Sequence, residues 1–250
     1  MTTDKNQKFQ RDDEMMEMLY RKYSRDGIKI SRWRQLLRFT IKKALWIAVV
    51  EGSRTLKRLM DIVGSSVGLI LLSPVFAITA LLIKLEDGGP VFFASDRAGK
   101  WGRKFRMFKF RSMILNAEKM KQDLLQQNET GGVIFKMKRD PRITRVGRVI
   151  RKLSIDELPQ LYNVFKGDMS LVGPRPHPPK EVELYTLTDR RRLEVIPGLT
   201  CFWQVSGRSD VSFENQVGLD VQYIESQSLW GDIKLLLKTI PAVISGRGAY

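Results

Sequence analysis

The sequence predicts an α+β fold, mainly helical, in which a broken apolar helix is joined to a compact basic domain with a small β-hairpin. Three observations carry this expectation. Residues 62–83 run for 22 residues without a charge. Lys104 to Phe110 alternates basic and apolar side chains, the period of a half-buried strand. Beyond residue 156, four stretches (156–166, 181–194, 211–227 and 230–245) have helical patterning, with Pro241 a break or kink in the last.

In chain order, residues 1–34 are polar and of mixed charge, with Glu14 to Leu19 able to form a short helix. The segment does not resemble a secretory leader. Residues 35–50 mix apolar and basic side chains around Trp46. That pattern suits a helix lying on a membrane surface, and equally an amphipathic helix facing a core. The uncharged run follows. At roughly 1.5 Å per residue it would be about 33 Å long as a straight helix, close to the hydrocarbon thickness of a bilayer. Ser73-Pro74 sits at its centre, and Pro removes a helix hydrogen bond there. Arg54, Lys57 and Arg58 precede the run and Lys84 follows it, so both flanks favour the cytoplasmic side. A helix-break-helix that enters and leaves one leaflet satisfies both flanks, with Ser73 helping to satisfy backbone at the break. Gly64 and Gly68 have helix-dimerisation spacing, which allows a homodimer; close packing within the chain explains them as well.

Gly88-Gly89-Pro90 reads as a turn. Val91 to Phe93 and Lys104 to Phe110 read as strands joined through Gly99 to Gly102, and residues 114–127 as a polar helix. The resulting organisation is an N-terminal extension with an amphipathic helix (1–53), a re-entrant membrane helix (54–86) and a cytosolic domain (87–250).

Composition narrows the chemistry. The net charge of +16, from 43 Lys and Arg against 27 Asp and Glu, calls for an anionic partner. One cysteine, Cys201, and one histidine, His177, rule out a disulfide and a His/Cys zinc cluster. Neither a dinucleotide-binding glycine motif nor a P-loop is present. The candidate chemistry lies at Asp156-Glu157. Two adjacent carboxylates at a helix start are compatible with simple capping, for which Ser154 and Glu157 have the right spacing. With Asp156 as the cap, Pro159 falls at the third helical position, where its missing N–H costs little. The same pair suits Mg²⁺ held against a diphosphate. Pro174-Arg175-Pro176 presents an arginine from a stiff frame, as bidentate phosphate binding requires, or forms a rigid turn. Pro197-Gly198-Leu199-Thr200 leads to Gln204 and Arg208, a second turn with a glycine-adjacent arginine. His177 is expected to be structural.

These motifs in order resemble the bacterial sugar transferase family, the monotopic polyprenyl-phosphate phosphoglycosyl transferases. The matching segments are Leu72-Ser73-Pro74, Lys109-Phe110-Arg111-Ser112-Met113, Arg151 with Asp156 to Gln160, Asn163 to Ser170, Val172 to Pro176, Pro197 to Thr200, and Gln204-Val205 with Gly207-Arg208. The resemblance covers about residues 54–250. It implies a re-entrant helix broken at Ser73 and Pro74, at the bacterial inner membrane with the catalytic domain facing the cytoplasm. It implies that Asp156 attacks the β-phosphorus of a UDP-sugar, releasing UMP, and that undecaprenyl phosphate then takes the sugar phosphate. Glu157 would complete the dyad, both carboxylates would hold Mg²⁺, and Lys109, Arg111, Arg151, Arg175, Gln204 and Arg208 would bind substrate and phosphate. Ile196 and Cys201 depart from the family pattern, where Arg and Gly are common. The large N-terminal transmembrane bundle of bigger relatives is not seen. The ending Gly246 to Tyr250 resembles exopolysaccharide-priming members and a hexose such as galactose or glucose.

Two other classes compete. A membrane-anchored nucleic-acid binder would explain the charge, but the basic residues are dispersed and no such module is recognisable, so no nucleic-acid partner is expected. A non-catalytic scaffold would not need an intact Asp156-Glu157.

Overall fold

The computed structural model describes residues 29–117, 119–120, 140–206 and 211–245. The short helix expected over Glu14 to Leu19, Arg208, and most of the helix expected over 114–127 lie outside these residues. The chain divides into two compact units, Met1–Gly52 and Ser53–Tyr250.

Helix α1 runs over Lys29–Leu71. Within the first unit, its apolar side chains Trp33, Leu36, Leu37, Phe39 and Ile41 are exposed. No described side chain of that part faces a core.

In the second unit α1 ends at Leu71, and α2 (Ser73–Asp87) follows at a 58° bend. Pro74 lies in the first turn of α2. A helix through this point would bond the residue-74 amide to Ile70, and proline has no N–H to give. The Ser73 hydroxyl takes its place, donating to the Ile70 carbonyl at 2.8 Å. Among the described residues no single helix is long and apolar enough to cross a membrane, although the bent pair has the length and composition together. Gly64 and Gly68 pack within the chain: a Cβ at Gly64 would come 2.7 Å from Leu171 Cδ1, and one at Gly68 3.1 Å from Leu161 Cδ1.

The predicted hairpin is present. β1 (Phe92–Ala98) pairs antiparallel with β2 (Lys104–Phe110), with Phe93 opposite Lys109. Helix α3 (Arg145–Lys152) follows, capped by Thr144 Oγ1 accepting from the Gly147 amide and by Glu86, whose carboxylate accepts from Arg145 at 2.7 Å. Next come a 3₁₀ turn (Ile155–Glu157) and α4 (Gln160–Lys166). β3 (Ser170–Val172), α5 (Pro179–Val182) and a 3₁₀ turn (Asp189–Glu194) lead to β4 (Gly198–Thr200). The chain then forms α6 (Phe202–Ser206), α7 (Phe213–Glu225) and α8 (Leu229–Ser245), which continues through Pro241.

Three sequence expectations need correction. The stretch 156–166 is not one helix. Ser154 adopts a left-handed conformation (φ 56°), the dyad sits on the separate 3₁₀ turn, and Pro159 takes the position before α4. Neither carboxylate is the N-cap of α4. The stretch 181–194 is also divided. α5 stops after one turn, and the Asp189 carboxylate accepts from the Thr186 amide at 2.9 Å, starting the 3₁₀ turn instead. Finally, β3 and β4 form a parallel pair, Ser170 beside Gly198 and Val172 beside Thr200, where the sequence suggested only turns. The strands are three residues each, too short for visible alternation. Gly173 and Gly198 allow this approach, since a Cβ on Gly198 would overlap the Gly173 backbone.

The main core joins Met107, Leu161, Val164, Met169, Leu171, Val172, Tyr223 and Leu235. Burial of such side chains contributes about 1.5–3 kcal/mol each. Polar pins set its alignment. Asp61 on α1 accepts from Ser170 Oγ at 2.9 Å and the Leu171 amide at 2.8 Å. Lys57 pairs with buried Asp232 at 2.6 Å, which in turn accepts from the Tyr223 hydroxyl at 3.0 Å. Arg58 donates to the carbonyls of Val164 and Phe165, both at 2.7 Å, closing the C-terminus of α4. Polar and basic residues of the first arm of the bent pair thus hold it to the rest of the unit.

Candidate active site

Asn163 explains how the dyad meets its cations. It is fully buried on α4, and its amide reads the edge of β2. Oδ1 accepts from the Phe108 amide at 3.0 Å and Nδ2 donates to the Arg106 carbonyl at 2.7 Å. This clamp fixes β2 against the turn before α4 and delivers Lys109, the next residue, to the dyad. Lys109 Nζ lies 2.8 Å from Glu157 Oε1 and 3.8 Å from Asp156 Oδ2.

Arg175 arrives from the other side. The β3–β4 pair and the bond from the Gly198 amide to the Pro174 carbonyl, 2.8 Å, hold its loop. Its guanidinium grips Glu157 with both nitrogens: Nη1 donates to Oε2 at 3.3 Å and Nη2 to Oε1. Below it, His177 is buried between Glu181 (Nδ1 to Oε2, 3.0 Å) and Arg192 (Nη2 to Nε2, 3.2 Å). Arginine can only donate, so His177 Nε2 accepts and Nδ1 carries the proton. Burial, assisted by Arg192, pushes this histidine down to about 4. It is a neutral brace for the Arg175 loop, the structural role expected of it.

The two carboxylates therefore differ. Burial alone would raise Glu157, but Arg175 and Lys109 outweigh it and hold the carboxyl well below the usual range. Asp156 is 8% exposed. Burial pushes its carboxyl up; Lys109 opposes the shift and neighbouring Glu157 adds to it. Asp156 makes no side-chain hydrogen bond to any described residue, whereas Glu157 is bound on both oxygens. One carboxylate is clamped and the other is uncommitted.

Both face a cavity of about 400 Å³. Lys109, Arg151, Arg175 and Gln204 line it with the dyad, while Leu171, Leu199, Trp203 and Leu236 form its apolar side. Arg151 makes no ion pair with a described residue and is available to an anion. The structure thus brings together Asp156, Glu157, Lys109, Arg151, Arg175 and Gln204. Arg111 is placed elsewhere. It is buried, pairs with Asp87 through both guanidinium nitrogens (Nη1 to Oδ2, 2.6 Å), and donates to the Pro90 carbonyl at 2.7 Å. It locks the end of α2 to β2 and does not line the cavity. Sequence reasoning missed Thr200, Trp203 and Thr239 as lining residues. Thr200 stood inside a recognised turn, but Thr239 lies in an ordinary amphipathic helix with nothing local to mark it.

The donor set bears on magnesium. Among the described residues no three metal-ligating side chains cluster. Two adjacent carboxylates, one uncommitted, fit an ion held mainly by substrate phosphates, the usual habit of Mg²⁺.

A family model described as bacterial sugar transferase matches residues 52–246. The galactosyl transferase CpsE of Streptococcus agalactiae serotype III (strain NEM316) is 50% identical over 194 residues, covering 77% of this chain and 43% of that protein. The exopolysaccharide production protein ExoY of Rhizobium meliloti (strain 1021) is 44% identical over 198 residues, 78% of this chain and 88% of ExoY. The undecaprenyl-phosphate galactose phosphotransferase of Salmonella typhimurium (strain LT2) is 46% identical over 204 residues, 80% of this chain and 43% of that protein. The chain therefore spans less than half the length of the first and third of these relatives and most of the second.

Proposed function

The chain belongs to the bacterial sugar transferase family, and on that premise we propose that it transfers a hexose 1-phosphate, galactose or glucose, from a UDP-sugar to undecaprenyl phosphate and releases UMP. The observation that carries the proposal is the asymmetric dyad: a clamped Glu157 beside an uncommitted Asp156, both in a cavity lined by three cations.

The chemistry follows from that asymmetry. An Asp156 oxygen attacks the β-phosphorus, forming a P–O bond to the enzyme. The bond from the β-phosphorus to the oxygen bridging the phosphates breaks, and UMP leaves with that oxygen. An oxygen of undecaprenyl phosphate then attacks the same phosphorus and frees the Asp156 carboxylate. Splitting one displacement between two anions into two steps is the advantage of a carboxylate nucleophile. Lys109, Arg151 and Arg175 offset the charge that gathers at phosphorus. Glu157 holds Lys109 and Arg175 in register. Asp156 and Glu157 would hold Mg²⁺ together with the diphosphate, and the ion would supply positive charge to offset that of the phosphates.

One substrate is soluble and the other lies in the bilayer, so the site belongs at the interface. The bent pair suits a re-entrant insertion. Val63, Val67, Ile70, Leu71, Ile78, Leu81 and Leu85 are exposed along it, an apolar surface that lipid would cover. With both flanks on one face, the catalytic unit lies on the cytoplasmic side of the inner membrane. On this reading the transfer is the first membrane step of exopolysaccharide synthesis, as the names of the relatives support.

The test is UMP release across a panel of UDP-sugars, with undecaprenyl phosphate in lipid nanodiscs, for native protein and Asp156→Asn. Native protein should release UMP, and the variant should neither turn over nor gain the mass of a sugar phosphate. Normal turnover by Asp156→Asn would refute the nucleophile.

A further inference from the structure

The wall of the cavity beside the dyad carries a small hydrogen-bonding arrangement that phosphate chemistry does not use. It joins the end of β4 to the first turn of α6. Cys201 immediately precedes α6, and Gln204 is three residues on, the spacing that brings two side chains together in a first helical turn. The Cys201 Sγ–H donates to Gln204 Oε1 at 3.2 Å. Cys201 is buried, and burial pushes its thiol up, so it keeps the proton it donates. With Oε1 so engaged, the Gln204 amide N–H groups have no partner among the described residues, although Gln204 lines the cavity.

Thr200 lies beside it with the opposite polarity. Thr239 Oγ1 donates its one proton to the Leu235 carbonyl at 2.8 Å. The 2.8 Å contact between Thr200 Oγ1 and Thr239 Oγ1 must therefore be donated by Thr200. The Thr200 proton is spent, and its oxygen has only lone pairs left. Both threonines line the cavity. The wall thus offers N–H donors at Gln204 and an acceptor at Thr200, each with its sense set by a partner outside the contact.

We propose that Gln204 and Thr200 form a reading site for the part of the substrate next to its diphosphate, recognising a group that accepts and donates at once, with Cys201 as the positioning residue that fixes the sense of the Gln204 amide. A sugar hydroxyl has this chemistry, and so does the edge of a pyrimidine ring. The inference rests on the transfer reaction proposed above and adds a determinant of substrate choice to it. Replacing Cys201 by a residue without a donor removes the thiol and frees the amide to turn over.

The experiment compares native protein with Cys201→Ala and Cys201→Ser, measuring kcat and KM with UDP-sugars and UDP-sugar affinity by calorimetry. Loss of one orienting hydrogen bond should raise KM and Kd roughly three- to tenfold, with kcat nearly unchanged. Cys201→Ser restores the donor and should stay within about twofold of native by the same reasoning. Two further arms locate the group that is read. Deoxy-sugar analogues that are discriminated by native protein but not by Cys201→Ala place it on the sugar. An N3-methyluridine analogue behaving this way places it on the base. The inference is overturned if Cys201→Ala keeps the native KM, Kd and analogue selectivity, or if serine fails while the variant remains folded by circular dichroism. Native protein that neither binds nor turns over any UDP-sugar overturns the transfer reaction itself, and this inference with it.

Discussion

Replacing Arg175 by alanine removes the larger of the two clamps on Glu157. Truncating one member of a buried ion pair costs about 3–5 kcal/mol. Two features reduce that figure here. The Arg175 and Glu157 side chains retain 27% and 17% of their exposure, and Lys109 still reaches Glu157 at 2.8 Å. The expected loss of stability is therefore about 2–3 kcal/mol, a charge-assisted pair partly compensated. It carries a pH signature. Glu157 is held below its unfolded value, so its contribution is present above about pH 4.3 and lost as pH falls below that. The gap between native and variant should narrow below pH 4. Turnover should fall by roughly 10²–10³, the usual loss for a donor aimed at developing charge. Arg175→Lys should recover part of the stability and little of the rate, since one ammonium cannot reproduce the two-nitrogen grip. Denaturant titration in detergent micelles, followed by tryptophan fluorescence, measures the first effect, and UMP release measures the second. An Arg175→Ala protein with native stability and native turnover would refute the clamp.

Two further predictions follow from the bend and the brace. Pro74→Ala restores an N–H toward Ile70 and should straighten the 58° bend, so that labelling of a cysteine introduced near residue 30 shifts from one membrane face to a mixture of both. A native N-terminus labelled only from outside the cell would contradict the re-entrant insertion. His177 is held down at about 4 from an ordinary 6.5, so it stabilises the fold above pH 6.5 and loses up to ~3 kcal/mol of that as pH falls toward 4. His177→Gln should lack this component in denaturant titrations at pH 4.5 and 7, and equal pH dependence in both proteins would dismiss the neutral assignment.

Much of this protein is determined locally. The uncharged run with Ser73-Pro74 at its centre dictates a broken helix, because proline cannot donate and serine can cover the carbonyl left behind. The alternation from Lys104 to Phe110 dictates a strand and puts Lys109 on the face of β2 opposite its neighbours. Asp156-Glu157, Arg151 and Arg175 were legible as candidates because their residue types and stiff neighbours suit phosphate chemistry. What the sequence could not decide depends on distant chain meeting distant chain. Arg111 and Arg175 are equally plausible phosphate ligands in one dimension; Asp87 takes the first, and Glu157 in the cavity takes the second. The parallel pairing of β3 and β4 crosses an intervening helix and turn, and its close approach requires Gly173 and Gly198 together. The unequal states of the dyad follow only from assembly. Asn163 brings Lys109 across from β2, the β3–β4 pair brings Arg175 from the other side, and both bond to Glu157, leaving Asp156 buried, 3.8 Å from Lys109 and without a side-chain hydrogen bond to a described residue. Two adjacent carboxylates are alike in sequence; the fold makes them different by hydrogen-bonding only one of them to Lys109 and Arg175.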